Sequence, residues 1–141
     1  MSKQLDKPIT TESELTQHII DRYCQYLDEN IEEYSKRFDD LKDKASHPES
    51  ITDTGEYTKY EWLALKADAI SLDMFCLCEL VPSDIHCFVK SGMLSSKQYN
   101  DQTIPEPVQK RLEMFDALSN EIAQFTSDQF DEHKRYLNRG M

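Results

Sequence analysis

Apolar side chains recur at Ile20, Cys24, Leu27, Ile31, Tyr34, Phe38, Leu41 and Ala45. The steps alternate between four and three residues, the spacing of a coiled-coil seam with Ile20 at a d position and Cys24 at an a position. Neither glycine nor proline interrupts the pattern, so it predicts one helix from about Thr11 to Ala45. At ~1.5 Å per residue that helix is roughly 50 Å long. Thr11-Glu12-Ser13-Glu14 reads as a capping box, in which hydroxyl and carboxylate each satisfy an orphan backbone N–H. Lys42 and Lys44 suit the negative end of the helix dipole, and Pro48 stops the helix.

The next periodic segment differs in character. Between Trp62 and Val81, fifteen of twenty residues are apolar, and the polar Asp68, Ser71 and Glu79 fall on one narrow stripe. A helix so little wetted is expected at the buried centre of a bundle, here from about Glu56 to Val81. Pro82 is expected to end it. Ser83 or Asp84 then caps a short third helix, Ile85 to Ser91, which Gly92 closes at a C′ position.

Met93 to Thr103 reads as a polar loop. Pro105 and Pro107 open a fourth helix, roughly Glu106 to Leu137, with apolar positions Val108, Leu112, Phe115, Leu118, Ile122 and Phe125. The predicted fold is all-α: an antiparallel helical bundle with long first and last helices, a buried second helix and a short third one. Residues 11–137 form one domain between a flexible lead, 1–10, and a short tail, 138–141. The seam makes a homodimer through the first helix a further expectation.

Composition sharpens this picture in two places. The formal charge is -11, spread along all parts of the chain. Such a surface repels nucleic acid and anionic membranes and attracts a basic partner. No apolar run reaches the ~20 residues of a membrane span, and the N-terminal residues lack the apolar core of a signal peptide. The four cysteines lie in apolar helical surroundings, which favours free thiols and a cytoplasmic setting.

Candidate chemistry is sparse. Cys76, Cys78, His86 and Cys87 are zinc-ligand types, but Cys76 and Cys78 are two apart on a helix and point about 200° from each other. They read as small core hydrophobes, and no cofactor is expected. No glycine-rich phosphate loop, nucleophile elbow or HExxH helix occurs, so catalysis is not expected.

The first helix carries the more suggestive pattern. Asp21, Asp28, Glu32, Asp39 and Asp43 follow one another at seven- and four-residue steps, and Glu29, Glu33 and Asp40 flank them. Carboxylates one turn apart stand ~6 Å from each other, close to the phosphate spacing of a nucleic-acid strand. Lys36, Arg37 and Lys42 are interspersed. The expected function is a non-catalytic binding module that neutralises a basic nucleic-acid-binding or nuclease partner, as an inhibitor, immunity or anti-defence protein. Two alternatives stand beside it. One is an adaptor or secretion chaperone holding an apolar client segment against Tyr34, Phe38 and Leu41. The other is a regulator using zinc or thiols.

Overall fold

The computed structural model describes residues 11–53, 56–100 and 103–139. Three long helices account for most of them: α1 (Glu12–Ser46), α2 (Lys59–Lys90) and α3 (Glu106–Arg139), with a short 3-10 turn at Pro48–Ser50. No strand occurs among the described residues, and the all-helical expectation holds.

The start of α1 is set by Thr11, whose Oγ1 accepts the Glu14 backbone N–H at 3.0 Å. The seam then does what its spacing implies. Ile20, Cys24, Leu27, Phe38 and Leu41 are buried, and Ile31, Tyr34 and Ala45 pack against them. Its apolar side chains thus pack within the chain.

The second and third predicted helices are one. α2 runs through Pro82 without ending. A proline inside a helix lacks the N–H for one ladder bond and costs ~3 kcal/mol. Here the apolar register continues across it: Met74, Val81 and Ile85 are buried, and Cys78 and Phe88 pack beside them. Burying Val81, Ile85 and Phe88 together outweighs one lost bond, at roughly 1.5–3 kcal/mol for each large apolar side chain. Pro82 itself is exposed. The end at Gly92 is as expected: φ is 83°, and the Gly92 and Met93 N–H groups bond to the Val89 and Phe88 carbonyls.

Cross-contacts fix the directions. Arg37 Nη1 meets Asp73 Oδ2 at 3.0 Å, and the Tyr23 hydroxyl donates to Asp84 Oδ2 at 2.7 Å, so α1 and α2 run antiparallel. Tyr34 lies edge-on to Phe115 and Phe38 to Phe125, so α1 and α3 run parallel. α2 and α3 share the most extensive interface, antiparallel, with Thr58 Oγ1 2.8 Å from His133 Nδ1 near one end. The connection after α2 is docked: Leu94 is buried, and Ser95 N–H donates to the buried Thr16 hydroxyl at 2.9 Å.

One expectation fails instructively. α2 is not the enclosed centre of the bundle. Its inner face carries Leu63, Ala67, Ile70, Met74, Val81 and Ile85 into the core, but Leu65, Leu72, Phe75 and Leu80 stand in solvent. The apolar count was read as burial, whereas two neighbouring helices cover only one side of a third. At the termini, the lead at 1–10 lies outside the described residues; Asn138 and Arg139 belong to α3, and 140–141 lie outside.

Pro82→Ala restores the missing ladder bond without touching the core. It should raise stability by about 1–3 kcal/mol in urea denaturation. Tyr23 gives a pH-dependent test. Burial, reinforced by its bond to Asp84, pushes the Tyr23 hydroxyl well above the ordinary tyrosine range. A raised pKa contributes stability that is complete below the unfolded value of about 10 and is lost as pH rises beyond it. Tyr23→Phe should therefore cost about 1–2 kcal/mol near neutral pH. The gap between the two proteins should narrow as the pH is taken above about 10.

Candidate functional site

The acidic residues of α1 divide into two groups in space. Asp28 faces α3, where Arg111 grips it through Nε at 3.1 Å and Nη2 at 3.3 Å. The bond to Asp28 raises the pKa of the guanidinium further. Arg111 also donates to the Pro107 carbonyl, so the pair ties the start of α3 to α1. The Asp28 side chain nevertheless stays 48% exposed.

The others point outward. Asp21 accepts from Gln17 and Glu29 from Gln25, each one turn away. Glu32 pairs with Lys36, Asp39 with Lys42, and Asp40 with Lys44, all on the same helix. Those three carboxyl side chains remain 69%, 70% and 63% exposed. Glu33 and Asp43 are exposed and have no side-chain partner among the described residues. The stripe expected from the sequence is thus exposed along its length, tied to α3 at Asp28 and held only by contacts within α1 elsewhere.

Cys76, Cys78, His86 and Cys87 are not brought together. Cys76 and Cys87 are exposed on α2, whereas Cys78 lies in the groove between α2 and α3. Burial raises the Cys78 thiol pKa, as it does that of Cys24. Among the described residues, no cluster of three or more His, Cys, Asp or Glu side chains is arranged to hold a metal ion. A thiol raised by burial is also a poor nucleophile at neutral pH.

The surface that sequence reasoning missed is the outer face of α2. Leu65, Leu72, Phe75 and Leu80 are 43%, 58%, 62% and 58% exposed, and Ala69 and Cys76 lie between them. The signal was present, because Leu65, Ala69, Leu72, Cys76 and Leu80 follow at steps of 4, 3, 4 and 4. This is a second apolar stripe opposite the first. Phe75 also lines a groove of about 280 Å³ with Met74, Leu112 and Phe115, bordered by Glu79 and Asp116.

A second groove, between α1 and α2, collects bases around an aromatic ring. Lys44 and Lys66 lie over Trp62 at 5.5 and 5.7 Å from its centroid, with Arg37 nearby. Asp40 pairs with Lys44 within α1, whereas Arg37 with Asp73 and Lys44 over Trp62 reach from α1 to α2. No helix among the described residues is long and apolar enough to cross a membrane. Comparison with protein-family models, with curated proteins and with solved structures finds no match to this chain.

Proposed function

We propose that this chain is a non-catalytic acidic protein-binding module that neutralises a basic protein partner, such as one with a nucleic-acid-binding or nuclease surface. The observation that carries this reading is the state of the outer α1 carboxylates. They are exposed, and their pairs are local contacts of a kind worth about 0–1 kcal/mol each. A guanidinium or ammonium from a partner replaces such a lysine at little cost, and the net charge of -11 steers the encounter. In this reading Asp21, Asp28, Glu29, Glu32, Glu33, Asp39, Asp40 and Asp43 meet the partner, with Asp28 also tied to Arg111 of α3.

The adaptor reading loses its original surface, because Phe38 and Leu41 are buried. It regains one on the outer face of α2, where an apolar segment has something to rest on.

The test is a partner recovered from the native host at low salt and then measured as a purified pair. Affinity should fall at least about tenfold between roughly 0.05 and 0.5 M NaCl, as screening shortens the reach of the charges. Glu29→Lys, Glu33→Lys and Asp43→Lys together should weaken binding about tenfold or more with an unchanged circular dichroism spectrum. Unaltered affinity would leave the α1 acids as solubilising charge only.

A further inference from the structure

We infer that the outer face of α2 is a docking site for a basic amphipathic helix, which lies along it as a fourth helix of the bundle. The inference rests on the reading above that the partner is basic, and it gives that partner a shape and a second point of contact. Leu65 to Leu80 spans ~22 Å of helix, about four turns, and its exposed apolar residues recur at helical spacing. A surface of that length and period is complementary to another helix with apolar side chains every three or four residues.

Charge selects the occupant. Between Leu65 and Leu80, α2 bears three acids, Asp68, Asp73 and Glu79, and one base, Lys66. Asp116 of α3 adds a fourth carboxylate beside Phe75 and Glu79. Asp73 is taken by Arg37, which leaves Asp68, Glu79 and Asp116 along the side of the stripe that faces α3. A second copy of this chain laid on the same face would oppose its acids to these. A helix with lysines or arginines beside its apolar stripe would pair with them. The α3 edge also offers the partner a cleft, where the groove beside Phe75 has room for one large apolar side chain.

The experiment uses the whole chain and two synthetic helices of about 18 residues with leucines at i, i+3, i+4 and i+7. One has lysine flanks and the other glutamate flanks. Binding is read by fluorescence anisotropy. The lysine helix should bind at least about tenfold more tightly than the glutamate helix. Leu72→Ser with Phe75→Ser should weaken it about tenfold or more, and Glu79→Lys about threefold or more. All three side chains are exposed, so these variants should keep the wild-type circular dichroism and urea midpoint.

Equal binding of the two helices, no detectable binding of the lysine helix, or indifference to Leu72→Ser with Phe75→Ser would each overturn the inference. So would a dimer in light scattering that the same double variant dissociates, since a second copy would then occupy the face. The triple lysine variant of α1 separates the two readings. If it weakens the lysine helix while the α2 variants do not, the basic-partner reading stands and the α2 site falls. If neither set of variants nor salt changes binding, both fall.

Discussion

The arrangement depends on one property of α2: it is apolar on two opposite faces, while the described residues form only two other long helices. Leu63, Ala67, Ile70, Met74, Val81 and Ile85 take one face into the core, where α1 and α3 meet them. Nothing remains in the described chain to cover Leu65, Leu72, Phe75 and Leu80. Burying a large apolar side chain is worth roughly 1.5–3 kcal/mol, so this face is a standing reservoir of binding free energy. The proline within α2 belongs to the same picture. A helix held by continuous burial on one side keeps its course past a residue that would end a less anchored one.

Polar contacts then select one arrangement among the many that apolar packing alone permits. Arg37 with Asp73 and Tyr23 with Asp84 set how far α1 slides along α2. Thr16 with Ser95 pins the connection after α2 against the first turns of α1, and Thr58 with His133 joins the start of α2 to the end of α3. The buried side-chain polar atoms among the described residues are all satisfied, as a single well-packed state requires. Asp28 with Arg111 adds a further tie, between α1 and α3, while the carboxylate stays half exposed.

The fold was largely legible in the sequence because its main signals are local. The four–three alternation from Ile20 to Ala45, the Thr11 hydroxyl cap and Gly92 each act within a turn or two, and each behaves as its chemistry requires. Thr58 and Glu61 form the same kind of start signal as Thr11 and Glu14: the Thr58 hydroxyl accepts the Glu61 N–H and begins α2. Reading that start at Glu56 overlooked it. Pro82 was misjudged because proline propensity is local, while the force that overrides it comes from helices far away in sequence. Exposure of the second α2 stripe was illegible for a related reason. Apolar count reports what a helix is able to bury, and only the number of neighbours decides what it does bury. The acids of α1 were legible as a pattern, but the pairing of Asp28 with Arg111, 83 residues away, was not.

The acidity of the chain and the open α2 face explain each other better than either is explained alone. An apolar stripe of four turns on an uncharged protein would draw copies together, because the face that recruits a partner equally recruits itself. Here each copy carries a net charge of -11, and Asp68, Glu79 and Asp116 stand beside the stripe, so two such faces approach against like charge. The same field lowers the barrier for a basic chain. In the proposed reading, negative charge acts first as a filter, admitting cationic surfaces and turning back anionic ones, and the apolar stripe holds what has been admitted. That proposal would make the charge chiefly a determinant of association rate and partner choice, and the α2 face chiefly a determinant of residence time.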